Sequence, residues 1–516
     1  MQQTSVAAEK QKQVALLFSA FVIAICGLIY ELIAGTLSSY LLGDSVYHFS
    51  LVIGIFMSAM GVGAWLSRFI DNHLPDTFIR LQLIIALMGG LSAALLYAAF
   101  AIINNYTPLL FLLTFSLGAL LGVEIPLIIR ILKDQFTLKT NLSNVFTVDY
   151  IGALFASLLF PLLLVPQLGL IRTGLTFGLI NATIGLLAWY VFRHELKARM
   201  PLLSGLTIVS IVLISGFFVT NHFVNHIEHK LYQDTIIYAE TTPYQRIVLT
   251  HRKQRIRFYI NGALQFDSFD EYRYHESLVH PVMLTAHAHE NILVLGGGDG
   301  LAIREILKYN DVKHITLVDL DPAITKLFSH NKALTKLNKN ALSSKRLSII
   351  NQDAWKFLER NQQLYDVIII DLPDPNNISL SRLYTKSFYH LVKQHLSASG
   401  AMVTQAASPL YTREAYWSIY QSIASIHQHQ SWVVRPYHSY IPSFGEWGFV
   451  LASRMNTNWT QQSPTIPIPL RYLKPSIMQT MHIFAADMAK IRVEANGLQN
   501  HPLVHYYEKG WEHWYQ

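Results

Sequence analysis

Two hydrophobic patterns divide this chain near residue 223. Up to that point apolar stretches recur with only scattered charges inside them, each about 20 residues long, which is the length a helix needs to cross a bilayer. Seven such helices are predicted, near 14–36, 49–70, 81–103, 107–132, 145–165, 170–192 and 202–220. Small residues inside them, Gly54, Gly61 and Gly63 in the second and Gly89 with Gly90 in the third, are suited to close helix packing. Three acids also fall within or at the ends of these stretches: Glu31, Glu124 and Asp149. An acid at membrane depth is costly, so each is either a cation site or a helix-packing hydrogen bond, Arg130 being a possible partner for Glu124.

Beyond Asn221 the helical period gives way to short alternating runs. Gln245–Thr250 and Arg257–Ile260 read as strands of a small β region, 224–288, with Asn261-Gly262 as a turn. A helix over Asp270–His280 closes this region. Its His275 and His280 are five residues apart, which places their rings on different helix faces and argues against a zinc site.

From residue 289 to about 455 apolar strands alternate with helices, the pattern of a mostly parallel sheet whose ligands sit at the carboxyl ends of its strands. The first of these strands opens the stretch that organises the rest, Asn291–Gly300, NILVLGGGDG. Ile292–Leu295 form a buried strand, the glycines turn the backbone tightly, and Leu301, Ile303, Ile306 and Leu307 continue at helical spacing. The next strand ends in Asp319, placed to take the hydroxyls of a ribose. Polar residues recur at the strand ends: Asp299, Asp319, Asp353 followed by Ala354, and Asp371 in Asp371-Leu372-Pro373-Asp374-Pro375. Several carboxylates around one cleft are unfavourable unless cations or hydrogen-bond donors offset them, so the expected ligand carries positive charge. The tail, 456–516, begins with a polar linker over 456–467 and ends in an aromatic cluster, with no chemistry assigned.

Composition sharpens this division. The chain has 516 residues, 51% of them hydrophobic and 14% charged, and that excess lies in the first half. The net charge of +7 does not point to nucleic acid, because many Lys and Arg residues fall between the apolar stretches, where membrane orientation accounts for them. The single cysteine, Cys26, excludes an intrachain disulfide. Several spans follow the first one, so it reads as part of an integral membrane protein and not as a signal peptide.

Residues 231–452 resemble the spermidine synthase (polyamine aminopropyltransferase) family. The likeness rests on Tyr244-Gln245, the run DEYRYHE, then GGGDG, VDLD, QDA, DLPDP and LYTKSFY at Leu383–Tyr389. The first half, with GLIYEL and a GDSV turn, is similar to the membrane-anchored bacterial members. The fold implied is a multi-pass α-helical membrane domain, 1–223, plus an α/β Rossmann-like domain preceded by the small β region. The resemblance implies transfer of an aminopropyl group from decarboxylated S-adenosylmethionine, a co-substrate, to putrescine, with no metal and no other cofactor. It places Gln245, Gln265, Asp319, Asp353 and Ala354 on the nucleoside and Asp299 on the donor amine. Tyr274, His275 and Asp374 would take the diamine, and Asp371 would be catalytic. It also implies a homodimer in the inner membrane. Two departures touch the acceptor end: Phe444 stands where the family has a tyrosine, and Asn376-Asn377-Ile378 replace part of its DPxGP.

Two other functions fit parts of the pattern. A polyamine transporter or sensor would use the membrane acids. A methyltransferase would use the glycine loop, but Val294 stands where such enzymes keep an acid, and Asp299 would repel the carboxylate of the intact donor. Positive charges at Lys10, Lys12, Arg68, Arg80, Arg130, Lys133, Lys139, Arg193, Lys197 and Arg199 put the amino terminus in the cytoplasm. Seven crossings then put the soluble domain outside, whereas its implied donor is made in the cytoplasm. The expectation drawn is a cytoplasm-facing domain with one span miscounted, the seventh lying along the interface or an early one being re-entrant; the alternative is an enzyme that works on the far side with its substrate delivered to it.

Overall fold

The computed structural model describes residues 2–42, 45–103, 106–132, 138–232, 234–426, 432–454 and 466–515. Gly43 and Asp44 of the GDSV turn, and residues 456–465 of the expected linker, lie outside these. The chain forms two compact units, Met1–Ile236 and Ile237–Gln516, so the small β region and the tail belong to the second.

The first unit is helical: α1 (Gln2–Leu42), α2 (Ser45–Leu66), α3 (Leu74–Ile102), α4 (Thr107–Ile131), α5 (Leu138–Leu159), α6 (Val165–Phe192) and α7 (Arg199–Tyr232). Six helices among the described residues are long and apolar enough to cross a membrane. One of the six is the 51-residue run Leu142–Phe192, which unites the predicted fifth and sixth stretches. That is about twice the length one crossing takes, and the chain reverses inside it: Gly169 leaves the helix (φ 72°, ψ 173°). Val145 from its start and Phe192 from its end then pack in one cluster with Leu16, Phe78, Leu127 and Leu202. The apolar side chains Leu112, Leu154 and Phe218 face outward, as a lipid-facing surface requires.

Close packing holds this bundle together, and glycine is essential at particular points. A Cβ at Gly63 would lie 1.9 Å from the Ala119 carbonyl oxygen, and one at Gly122 would lie 2.1 Å from that of Met60, so α2 and α4 touch backbone to backbone. Gly89 is covered by the Tyr30 ring and Gly90 lies against Gly178. Gly54 and Gly61 face open space instead, so those two do not serve the packing expected of them.

The seventh helix differs from expectation too. It does not lie apart: Gly205 meets Leu83 of α3, Leu206 meets Gly185 of α6, and Gly216 meets Leu175 of α6. These pairs run α7 parallel to α3 and antiparallel to α6. The start of α7 sits at the end where Lys12 pairs with Glu195 and where Asp76 accepts from the Ala198 N–H at 2.9 Å. Its last residues are therefore at the opposite end of the bundle.

The second unit opens with an antiparallel sheet, β1 (Thr235–Thr241), β2 (Arg246–Arg252), β3 (Arg255–Ile260) and β4 (Ala263–Asp267). Asn261 (φ 51°) and Gly262 (φ 81°) form the two-residue turn between the last two, the conformation that matches strand twist. Then follow α8 (Glu271–Thr285), β5 (Asn291–Gly296), α9 (Leu301–Ile306), β6 (His314–Asp319), α10 (Pro322–His330), α11 (Lys332–Leu337), β7 (Leu347–Asn351), α12 (Ala354–Arg360) and β8 (Tyr365–Asp371). After them come α13 (Ile378–Ser381), α14 (Lys386–Gln394), β9 (Leu396–Gln405), α15 (Arg413–Ala424), β10 (Val433–Ile441), β11 (Gly445–Ser453), α16 (Pro475–Thr480) and α17 (Pro502–Tyr515).

The large sheet has the order β10-β11-β9-β8-β5-β6-β7. Pairing is parallel from β9 through β7 and antiparallel at β11 and β10. Strand β5 sits between β6 and β8, and the chain winds in opposite directions on its two sides, which opens a crevice at its carboxyl end. Strand β10 carries Pro436 and polar residues because it is the sheet's edge, where a missing N–H is tolerated.

Candidate active site

The crevice is built by glycines that let neighbouring strand ends close in. Gly296, Gly297 and Gly300 all have positive φ, at 81°, 68° and 76°. A Cβ at Gly296 would meet the Asp371 carbonyl oxygen at 2.1 Å, and one at Gly298 would meet Asp319 Oδ2 at 2.6 Å. The turn after β5 thus packs directly on the last residues of β6 and β8. The Gly298 N–H donates to Asp319 Oδ2 at 3.0 Å, and the Asp321 N–H to Oδ1 at 3.0 Å. Asp299 Oδ1 accepts from the Leu301 N–H at 2.9 Å, at the opening of α9.

Helix α8 carries the other wall. Tyr274 donates its hydroxyl to Asp371 Oδ1 at 2.7 Å. His275 Nδ1 lies 2.9 Å from Glu271 Oε2, and Glu271 in turn takes both terminal nitrogens of Arg304 at 2.8 Å. Glu276 accepts the N–H groups of Arg471, Tyr472 and Leu473 at 2.8, 2.8 and 3.0 Å, which pins the helix to the segment before α16. His280 is held between Glu305 and Tyr309, away from His275. Phe444 lies beside Tyr274, with ring centroids 6.1 Å apart, in a loop tied to α8 by Ser443 and Asp270.

Burial sets the protonation of this cluster. It pushes Asp319 up to about 6, although the N–H groups of Asp321 and Gly298 favour its charged form. Asp299 also rises to about 6, through burial with repulsion from Asp371 and against attraction from His275. Asp371 is raised by burial, opposed by His275 and by the Tyr274 hydroxyl. His275 moves the other way: burial disfavours its charge, but the Glu271 carboxylate, with Asp299 and Asp371, overrides that and lifts it to about 9. An imidazolium thus offsets the carboxylates of the crevice.

Not every expected residue meets this cluster directly. Gln245 Nε2 bonds to Asp321 Oδ2 at 3.0 Å, which Thr242 also reaches at 2.7 Å, so it joins the end of β6 through Asp321. Asp353 caps α12 by accepting from the Lys356 N–H at 3.0 Å and pairs with Arg382, with Ala354 buried behind it. Gln265 bonds to the carbonyl of Ala263 in its own hairpin at 3.1 Å, and among the described residues no bond ties it to the crevice.

Asp374 has partners that the sequence did not suggest. Its Oδ1 accepts from Gln405 Nε2 at 3.2 Å and its Oδ2 from the Tyr507 hydroxyl at 2.8 Å. Burial lifts it to about 6, with those two donors pulling the other way. Tyr384 donates to the Pro373 carbonyl at 2.9 Å and so fixes the loop between the two acids. Gln405 ends strand β9, and Tyr384 lies in the LYTKSFY run, so both had a signal. Tyr507 had none: it comes from α17, whose Trp511 and Trp514 pack on Tyr411.

A doubly wound sheet with an acid-lined crevice beside its glycine turn places a ligand site at the carboxyl ends of its strands. Residues 271–463 match the Spermine/spermidine synthase domain. The chain is 44% identical to the polyamine aminopropyltransferase of Leptospira interrogans over 499 residues, 97% of this chain and 99% of that one. It is 44% identical to polyamine aminopropyltransferase 2 of Ralstonia nicotianae over 503 residues, 96% and 98% of the two chains. Among solved structures, spermidine synthase from Thermotoga maritima is 22% identical with a TM-score of 0.44, covering 48% of this chain and 84% of that one. The chain is an enzyme of the polyamine aminopropyltransferase family. Because the first two relatives align over nearly their whole length, the helical unit belongs to what these proteins share.

Proposed function

We propose that the second unit transfers the aminopropyl group of decarboxylated S-adenosylmethionine to putrescine, giving spermidine and methylthioadenosine. The observation that carries this is the meeting of Asp299, Asp319 and Asp371 at one glycine turn, with Tyr274 on Asp371. Asp319 takes the ribose hydroxyls. Asp353 and Ala354 flank the adenine, and Gln245 supports that end through Asp321. Asp299 takes the ammonium of the aminopropyl group. For Gln265 to join them its bond to Ala263 must break.

The acceptor amine lies between Asp371 and Asp374. Tyr274 occupies one oxygen of Asp371 and leaves the other for the amine. The attacking nitrogen first gives a proton to Asp371; the neutral amine then attacks the carbon next to sulfur, the C–N bond forms, the C–S bond breaks, methylthioadenosine leaves neutral, and the product nitrogen carries the positive charge. Charge at sulfur is cancelled in this step, so an enclosed crevice favours it. The charge on His275, raised by Glu271, Asp299 and Asp371, and the ammonium groups of the substrates together offset these carboxylates. Tyr507 and Gln405 fix Asp374, so the helical tail builds the far end of the acceptor site. The Phe444 face beside Tyr274 is apolar, which suits the methylenes of a short diamine.

We place the enzyme in the inner membrane. With α7 packed in the bundle antiparallel to α6, the last residues of α7 lie at the end opposite Lys12 and the loop after α6. The positive-inside rule then puts the second unit on the far side from the cytoplasm. This reading takes the far-side alternative over the cytoplasm-facing one, and it requires that the donor be delivered across the membrane.

Asp371→Asn keeps the shape and is expected to lower kcat by roughly 10² to 10⁴, the contribution of a general base; turnover near the parent's in a steady-state assay would remove it from that role. The Asp319 carboxylate must be ionised to accept from ribose, and its pKa of about 6 lies above the ordinary range. Affinity for methylthioadenosine, which lacks the ammonium, is therefore expected to hold at pH 7 to 8 and fall as pH drops through about 6. Titration calorimetry on the parent and on Asp319→Asn, where this dependence should vanish, checks it. Tyr507→Phe is expected to raise KM for putrescine by about tenfold or more, the effect of a hydrogen bond to a charged group, with KM for the donor unchanged. Equal changes in both constants would mean that the tail acts only on the fold. A carboxyl-terminal fusion to a reporter active only outside the cytoplasm should give signal, while one active only inside should not; the reverse pattern restores the cytoplasmic placement.

A further inference from the structure

The helical unit holds a second polar constellation that this chemistry does not use. Glu124 of α4 and Gln82 of α3 are both 0% exposed, and Gln82 Nε2 donates to Glu124 Oε1 at 2.5 Å. Glu124 Oε2 and Gln82 Oε1 are left without partners. Asn181 of α6 is likewise 0% exposed, and neither atom of its amide is paired. It shares a helix face with Gly178, which packs on Ala86, and Gly185, which packs on Gln82, so it faces α3 between the levels of Ala86 and Gln82, within about one helical turn of Gln82. Arg130, the cation suggested for Glu124, bonds instead to the Ser67 carbonyl at 2.9 Å and pairs with Asp71 at 3.6 Å. Glu124 is seven residues from the end of α4 at Ile131, about 10 Å into the bundle at the rise of a helix.

Unpaired polar atoms in an apolar bundle are costly, and their kind defines what would satisfy them. Here they are three acceptor oxygens, one on each of Glu124, Gln82 and Asn181, with a single carboxylate among them, and one donor, the Asn181 Nδ2. We propose that these three residues form a binding site for a primary ammonium group inside the helical bundle. An alkylammonium presents three N–H donors and one positive charge, which matches the set. A hard divalent cation takes six or more oxygens, twice what the site offers. Ile85, Leu121 and Phe177 line the same part of the bundle and suit an alkyl chain. The ligand class is therefore an alkyl mono- or polyamine. Its kinship with the acceptor rests on the reaction proposed above, whereas the site itself rests on the bundle alone.

The test uses the full chain in detergent and radiolabelled putrescine at equilibrium. In an Asp371→Asn, Asp374→Asn double variant, which disables the acceptor site, one equivalent of putrescine should still bind. Adding Glu124→Gln or, separately, Asn181→Leu should weaken that binding by about tenfold or more, while methylthioadenosine binding stays as in the parent and reports that the protein is folded. If Glu124→Gln fails to fold, Asn181→Leu and Gln82→Leu give the same readout. No residual putrescine binding in the double variant, or residual binding indifferent to all three substitutions, overturns the site. Displacement by millimolar sodium but not by alkylamines overturns the ligand class. Loss of turnover in Asp371→Asn with the membrane site intact, or the reverse, separates this proposal from the catalytic one.

Discussion

The catalytic half depends on how closely β6 and β8 approach the turn that follows β5. That approach is possible only where no side chain intervenes. A Cβ at Gly296 or Gly298 would overlap the backbone of Asp371 or the carboxylate of Asp319, a conflict no rotamer change at the glycine could relieve. Once the strand ends are this close, their carboxylates share one poorly solvated space. Elevated proton affinities at Asp299 and Asp319, and the opposite charge on His275, are consequences of that crowding. The same crowding suits the crevice to substrates that bring positive charge with them.

Much of this was legible in the residue order, for a physical reason. Strand, glycine turn and strand-end acid are local features, and each has a period or a residue type that marks it. The positions of Asp299, Asp319, Asp353 and Asp371 at strand ends could therefore be read before any coordinates. Contacts between distant segments carry no such mark. Tyr507 reaching Asp374, Glu276 gathering three N–H groups near Leu473, and Gln245 acting through Asp321 all depend on packing that no local pattern records. Strand β10 was overlooked because an edge strand needs neither alternation nor a full set of donors. Gln265 shows the converse: a position carried across by likeness, whose side chain here is satisfied within its own hairpin.

In the helical unit, hydropathy showed where the helices are, but not how each one is used. Glycines that look alike in sequence divide into those beneath a neighbour's backbone, such as Gly63 and Gly122, and those facing outward, such as Gly54 and Gly61. Likewise, Arg130 follows Glu124 at a spacing that suggests a pair, yet turns to Ser67 and Asp71. Without a water-driven force between helices, backbone contact and polar complementarity decide such arrangements, and both are properties of partners chosen from far along the chain.

The bond between Tyr507 and Asp374 also has a meaning in time. The two residues are separated by 133 positions, and a ribosome adding roughly 5–20 residues per second needs roughly 7–27 seconds to cover that distance. During synthesis the helical unit is complete first, then the glycine turn and both acids, and only later the helix that holds Asp374 in place. The Asp319 end of the crevice is thus assembled before the Asp374 end, and a growing chain completes its glycine turn while Asp374 still lacks the Tyr507 hydroxyl.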